Sequence, residues 1–171
     1  MVGVEPIEAT AAEHDLGASP GRADADRSAD PGLVAWFEQT ARIDLDRLDD
    51  ERMVLVLQQG SLAVRVRNAE VARELEVQVG PSRARAAATG HFRFDRVGNT
   101  SRMTAWRGQL DVDTGDQRLA LGTGRSVELY REWRDGTAVT WGPVSQDAFS
   151  DWVARGEQSD DRFVGNRYVS R

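Results

Sequence analysis

Apolar and polar residues alternate in two neighbouring stretches near the middle of the chain. Residues 62–67 read LAVRVR and residues 74–79 read ELEVQV. Because successive side chains of a strand point to opposite faces, each stretch predicts a strand with one apolar and one polar face. The intervening NAEVAR is short enough to close a hairpin, and one register pairs Arg67 with Glu74 and Arg65 with Glu76. The arginines then form a solvated structural ladder; the alternative is a patch that binds a negatively charged partner.

Further short strands surround this pair. Residues 53–57 (MVLVL) are apolar on both faces, which predicts a central strand covered on both sides. Asp135 and Gly136 lie between two apolar runs and predict a tight hairpin turn. Other alternating runs read LVAWF, RIDLDRL, HFRFDR, RMTAW, GQLDVD, QRLALG and RSVELYREW. Short strands at this spacing are typical of an all-β antiparallel sandwich or roll.

The two ends of the chain show different patterns. Residues 1–30 have neither strand nor helix periodicity, which predicts a disordered tail or a misassigned start. Residues 31–143 form the predicted β domain. In residues 144–156, Phe149, Trp152 and Val153 share one helical face, and Gly156 can end the helix. Residues 157–171 are expected to be a polar tail.

Composition and charge exclude several classes of protein. The net charge is -6, which argues against nucleic acid as the main partner. Residues 52–107, however, contain ten arginines and only four acidic residues, so the middle of the chain is basic and its ends are acidic. No run approaches the roughly 18 apolar residues of a membrane span. The first residues lack the pattern of a signal peptide, which by itself predicts a cytoplasmic protein.

The residues that carry most catalytic chemistry are missing or isolated. The chain has no cysteine and no lysine, which excludes thiolate and Schiff-base chemistry. His14 lies in the predicted tail and His91 stands alone, so a histidine-based metal site or catalytic triad lacks parts. The GTGR sequence at 122–125 lacks the pattern of a phosphate-binding loop. We therefore predict no catalytic residue, no metal site, no cofactor and no enzyme activity.

Tryptophan and arginine supply the candidate binding surface. By alternation, Trp106 lies on the outward face of its strand beside Arg107. An exposed tryptophan with nearby arginines, including Arg65 and Arg67, is suited to stacking on a sugar. The alternative is that the predicted helix covers Trp106.

The pattern of residues 41–170 resembles the FecR-type domain of bacterial periplasmic proteins. The matching segments read RIDLDRLDDERMVLVLQQGSLAVRVRN, EVARELEVQV, GHFRFDR, TAWRGQLDV and GTGRSVEL. The segment DAFSDWVARGEQSDDRFVGNRYVS is similar to the tail of a proteobacterial subgroup of unknown function. The resemblance implies an all-β domain, periplasmic or secreted, in a family whose namesake passes a signal from an outer-membrane receptor to a sigma factor. A truncated reading frame would reconcile this location with the absent signal peptide.

Together these features predict a non-catalytic binding or scaffolding module of the cell envelope, sensory or signalling, with an envelope protein as partner through sheet edges and loops. The alternative is a module that binds envelope polysaccharide through Trp106 and its neighbouring arginines. A hydrolase, the third class, would need a catalytic constellation that the sequence does not contain.

Overall fold

The computed structural model describes residues 8–10, 21–24, 32–38, 40–49, 52–132 and 136–169. Within these ranges the chain forms thirteen strands and two helices. The strands are β1 (Glu8–Thr10), β2 (Gly21–Asp24), β3 (Leu33–Phe37), β4 (Arg42–Asp49), β5 (Arg52–Val66), β6 (Leu75–Val79), β7 (Ser82–Ala86), β8 (Gly90–Val97), β9 (Thr100–Arg107), β10 (Leu110–Asp113), β11 (Arg118–Leu121), β12 (Arg125–Glu132) and β13 (Gly136–Pro143). The helices are α1 (Ala69–Glu74) and α2 (Ala148–Val169).

All these strands belong to one curled, mixed sheet, which confirms the all-β fold class. The main order is β11-β10-β7-β6-β5-β8-β9-β12-β13, with β3 and β4 also paired to β5 and β2 continuing from β3 to β1. Most pairs are antiparallel, and two, β1–β2 and β5–β6, are parallel. Strand β5 is fifteen residues long, so its first half pairs with β4 and β6 and its second half with β3 and β8.

The bend that lets β5 serve both halves of the sheet falls at Gly60. Its φ of 97° is a conformation that side chains with a Cβ rarely adopt. A Cβ there would also lie 2.7 Å from the Cα of Ala41. Glycine at this position therefore allows the bend and the close approach of the chain preceding β4.

The inward face of the curled sheet holds the main hydrophobic core. The fully buried side chains include Leu57, Leu62, Phe92, Phe94 and Met103. These residues occupy the alternate positions that the pattern places on one face. The central position predicted for residues 53–57 is confirmed, because strands β4 and β6 flank that part of β5.

The hairpin predicted between residues 62–67 and 74–79 is wrong. The connecting residues form helix α1, capped by the Asn68 side chain, which accepts a hydrogen bond from the Val71 backbone N–H. The helix carries the chain back, so β6 runs parallel to residues 53–57 instead of antiparallel to residues 62–67. In the structure Arg65 is opposite His91 on β8 and Val34 on β3. The predicted cross-strand register of Arg65 with Glu76 and of Arg67 with Glu74 is therefore not the register of the sheet.

The pairing expected around Asp135 and Gly136 is confirmed. All eight residues of β12 pair with all eight of β13, from Arg125 opposite Pro143 to Glu132 opposite Gly136. The turn itself, residues 133–135, lies outside the described residues. Trp133, which the sequence places beside this turn and predicts to brace the hairpin, is one of these residues, so that expectation stays a prediction.

Both predicted tails contain regular structure in the described ranges. Strands β1 and β2 lie within residues 1–30, where the sequence showed no strand pattern; the rest of that segment is outside the described residues. Helix α2 was expected within residues 144–156 but runs from Ala148 to Val169, through most of the predicted polar tail. Gly156, which was expected to end the helix, lies inside it. Glycine is needed there because a Cβ would lie 2.7 Å from Nε1 of the buried Trp36. This glycine lets α2 approach the sheet.

Replacing Gly156 by alanine is expected to destabilise the protein, although alanine is favoured over glycine in a helix by about 1 kcal/mol. The added methyl group would force α2 or the Trp36 ring to shift. Urea unfolding measures the effect. The matched variant is A154G, on the exposed side of the same helix, which should lose about 1 kcal/mol from propensity alone. A gain of stability in G156A would show that the contact with Trp36 is absent.

Candidate functional site: the outer sheet face, its cleft and its open edge

Helix α2 covers part of the outward face of the sheet. A second apolar cluster forms there, in which Phe149 and Val153 of α2 pack against Val34, Trp36 and Ala63 of strands β3 and β5. All five side chains are at most 2% exposed. The side chains of Trp106 and Trp152 pack against this cluster and are partly buried. Trp106 is therefore partly covered by the helix, as the second interpretation of the sequence expected.

Three of the four candidate binding residues line one cleft. Arg65, Trp106 and Arg107 come from β5 and β9, and His91 of β8 lies among them. The cleft encloses about 400 Å³ between this part of the sheet and α2, whose Glu157 lines the opposite wall. Arg67, the fourth candidate, does not line it.

His91 and Glu157 face each other across the cleft. The His91 Nδ1 atom lies 2.8 Å from Glu157 Oε1, and both side chains are mostly buried. The two atoms are close enough for an ion pair but lack the geometry of a hydrogen bond, so Glu157 Oε1 has no hydrogen-bond donor among the described residues. This carboxylate oxygen is therefore buried against the imidazole ring.

A buried arginine joins the start of α2 to the centre of the sheet. Arg93 on β8 is 7% exposed, and its guanidinium binds both carboxylate oxygens of Asp147 at 2.7 Å. It also donates to Asp95 Oδ1 at 3.0 Å and lies 5.0 Å from the centre of the Phe149 ring. Such a two-pronged charged contact is among the stronger and more geometrically specific hydrogen bonds in proteins.

Asp147 also caps helix α2. Its side chain accepts a hydrogen bond from the Ser150 backbone N–H, and its own backbone N–H donates to Ser150 Oγ. This reciprocal arrangement satisfies two donors at the helix end, as in a capping box. Because Asp147 binds Arg93 at the same time, the beginning of α2 is fixed to strand β8.

The charges of this cluster shift each other's ionisation. The hydrogen bonds from Arg93 lower the pKa of Asp147. Burial alone would lower the pKa of Arg93, but its bonds to Asp147 and Asp95 outweigh burial and raise it. Burial raises the pKa of Glu38, which lies close to Asp95 and Asp147. Arg93 and Asp147 are therefore ionised at neutral pH, whereas Glu38 is penalised when it ionises.

The pH dependence of stability follows from these shifts. Glu38 binds a proton more readily in the folded state, so its contribution rises as pH falls from neutral through its folded pKa and levels off below its ordinary value of 4.5. Asp147 has the opposite sign, so its contribution is present above its ordinary value of 3.8 and is lost as pH falls through its lower folded pKa. Urea unfolding between pH 7 and 3 should show a rise that E38Q removes and a later fall that D147N reduces. Unchanged profiles in both variants would contradict this account.

A second groove contains a ladder of paired charges, the arrangement that the sequence predicted for Arg65 and Arg67. On the outer faces of β6, β7, β10 and β11, a groove of about 590 Å³ is lined mainly by charged residues. Arg85 binds Glu76 at 3.0 Å and Arg83 lies 3.7 Å from it. Burial opposes ionisation of Glu76, but hydrogen bonds from Gln78 and Arg85 outweigh it and lower its pKa. A charge ladder does form here, but between Glu76 and β7 instead of Arg65.

Strand β13 forms an edge of the sheet. It pairs with β12 on one side, and Trp141, with 38% of its surface exposed, lies on it. The guanidinium of Arg125 on β12 stacks 4.7 Å from the Trp141 ring centre. The eight residues of β13 read GTAVTWGP and carry no charge. Natural edge strands are usually protected by charges or bulges, so an uncharged edge is a candidate surface for pairing.

Within the described ranges, no three histidine or acidic side chains are grouped so that they could hold a metal ion. No helix in the same part of the chain is both long and apolar enough to cross a membrane.

Solved structures share this fold. Neither a family model nor a curated protein matches the sequence. Two crystal structures, each of a "putative anti-sigma factor" from Parabacteroides distasonis ATCC 8503, superpose with TM-scores of 0.57 and 0.50 and sequence identities of 9% and 10%. Each alignment covers 71% of this chain but only 56% and 52% of the other. The likeness at this identity concerns the fold, and this chain corresponds to about half the length of those proteins.

Sequence reasoning did not identify Arg93 as a key residue, because alternation places it on the polar face with His91 and Asp95 and says nothing of what covers that face. The pattern that could have indicated it is the Asp147-to-Ser150 spacing before an amphipathic helix. An acidic residue that caps a helix is stabilised by the helix alone when it is exposed, and it calls for a cation of the sheet only when the helix packs there.

Proposed function

We propose that the chain is a FecR-type, non-catalytic module that binds a protein partner in signalling at the bacterial cell envelope. The observation that carries the proposal is the uncharged, one-sided edge strand β13 with Trp141 exposed on it. An exposed edge binds an extended segment of another protein through main-chain hydrogen bonds, and neighbouring side chains give specificity. The description of the two structural neighbours as anti-sigma factors, and the sequence resemblance to FecR domains, both support a regulatory role.

The proposal is tested by isolating and then reconstituting the complex. The chain, tagged and expressed in its source bacterium, is cross-linked in intact cells, and the cross-linked protein is identified from fractionated envelope. That protein is then purified and titrated against the purified chain. Saturable one-to-one binding of an envelope protein is expected. If no purified candidate binds, or if the chain is recovered only from the cytoplasm, the proposal fails.

A second candidate function, binding of an envelope polysaccharide, is favoured by the cleft that brings Trp106, Arg107 and Arg65 together. A tryptophan beside cationic groups stacks on sugar rings and binds their acidic substituents.

Replacing Trp106 by alanine tests this candidate. Since Trp106 is only partly buried, we expect a stability loss of about 2 kcal/mol, below the ~3 to 5 kcal/mol typical of a fully buried tryptophan. If the cleft binds glycan, addition of cell-wall polysaccharide shifts the tryptophan fluorescence of the native protein but not that of W106A. A destabilised variant together with no fluorescence response in the native protein would eliminate the polysaccharide function.

A further inference from the structure

The direction of the backbone groups on β13 follows from contacts at its first residues. The Thr137 N–H donates to Asp116 Oδ2 at 2.9 Å, and the Thr137 carbonyl accepts from Gln117 Nε2 at 3.1 Å. Both partners lie in the turn between β10 and β11, on the side away from β12. Because backbone groups alternate along an antiparallel ladder and this ladder has no bulge, Val139 and Trp141 also point theirs away from β12.

Pro143 ends the open edge. It is the next residue in this alternation, but its carbonyl accepts a hydrogen bond from Ser126 Oγ of β12 at 2.8 Å, and proline has no N–H to offer a partner. The open part of the edge therefore consists of the N–H and C=O groups of Val139 and Trp141. No hydrogen bond to these groups from outside the β12 ladder is present among the described residues.

The two ends of this open edge differ in charge. At one end, hydrogen bonds from Thr114 and from Thr137 lower the pKa of Asp116 to about 2, so its carboxylate is always ionised at neutral pH. At the other end, Arg125 stacks on Trp141 and has no acidic partner among the described residues. The edge thus runs from a negative charge beside Thr137 to a positive charge beside Pro143.

We propose that residues Val139–Pro143 bind an extended segment of a protein partner as an added strand, with an acidic residue of that segment at the Arg125 end. This inference rests on the proposed function and names the surface and the chemistry of the partner. Main-chain hydrogen bonds to Val139 and Trp141 hold the segment, and an apolar side chain packs beside the Trp141 ring. Asp116 repels an acidic residue at the opposite end and so sets the orientation.

The probes are acetylated, amidated pentapeptides of alternating threonine and valine. One carries a single glutamate at its first position and a second carries it at its last, because the strand direction is not known in advance; each has a lysine counterpart. Nuclear magnetic resonance follows the amides of Val139 and Trp141 during titration. One glutamate peptide is expected to slow hydrogen exchange at both amides and to bind roughly fivefold more tightly than its lysine counterpart, as one ion pair allows.

Two variants locate the site. V139P removes an outward-facing N–H without removing a bond to β12 and is expected to abolish binding. R125Q removes the cation and should make the glutamate and lysine peptides equal. The matched control is R118Q, at an arginine on β11 whose side chain is 89% exposed, which should leave binding unchanged. Circular dichroism and the melting temperature show whether each variant is folded. If V139P does not fold, R125Q still tests the proposal.

Three results would overturn the inference. The first is the absence of amide protection at millimolar peptide, and the second is equal binding of glutamate and lysine peptides by the native chain. The third is a dimer of the native chain that V139P converts to a monomer, which would assign the edge to a second copy. A protein partner that binds the native chain and V139P equally would leave the proposed function intact and refute only this surface.

Discussion

Replacement of Arg93 by alanine is expected to lower the free energy of unfolding by about 3 to 5 kcal/mol. The guanidinium is 7% exposed and holds Asp147 and Asp95 together across strand β8 and the start of α2. Its removal leaves Asp95 as a carboxylate with one oxygen, Oδ2, already lacking a hydrogen-bond donor. Breaking a buried ion pair by removing one partner is costly because the other charge stays buried and unpaired.

The matched control for R93A is R102A, on the neighbouring strand of the same face. Arg102 binds Glu128 at 2.9 Å, but the two side chains are 40% and 44% exposed. Exposed ion pairs contribute about 0 to 1 kcal/mol, so R102A should lose little stability. Chemical denaturation measures both variants. Equal and small losses would show that Arg93 is hydrated and does not connect α2 to the sheet.

Replacement of Phe149 by alanine is expected to cost about 3 to 5 kcal/mol, the usual range for a buried aromatic residue. The side chain is 1% exposed and packs on Val34, Trp36 and Ala63. The Arg93 guanidinium also lies over the Phe149 ring, with its central carbon 5.0 Å from the ring centre. The loss should therefore include part of the Arg93 contribution as well as the cavity.

Trp152 provides the comparison for F149A. It lies 6.0 Å from Phe149 between ring centres but is only partly buried, so W152A should cost less than half as much. Unfolding curves and near-ultraviolet circular dichroism give the two values. If F149A proved as mild as W152A, the packing of α2 on the outer sheet face would be incorrect.

The strands and the inward faces of the sheet could be predicted because alternation is a local property of the sequence. The apolar run at 53–57, with no polar face, identified the central strand for the same reason. Strand pairing was less predictable because register depends on distant neighbours. Helix α1 has six residues, too few to show a helical period, so the segment between two alternating runs was interpreted as a hairpin turn.

The candidate site divides in the same way. Arg65 and Trp106 point outward by alternation, and they meet because β8 lies between β5 and β9. Arg107 joins them because a register shift at this end of β8 places it opposite His91. Arg67 shares the pattern of Arg65 but follows the end of β5 and does not line the cleft. The role of Gly156 could not be predicted, since a glycine in a helical pattern is usually a stop and only the position of Trp36 explains it.

The central claim, that the edge of β13 binds a protein partner, is tested most directly by site-specific cross-linking in the source organism. A photoreactive amino acid replaces Trp141 at the open edge or, as a control, the exposed Arg118 on β11. We predict that irradiation joins the chain to one protein from position 141 and not from position 118, and that R125Q weakens the product. Identical products from both positions, or none from position 141 in cells where the partner is present, would contradict the claim.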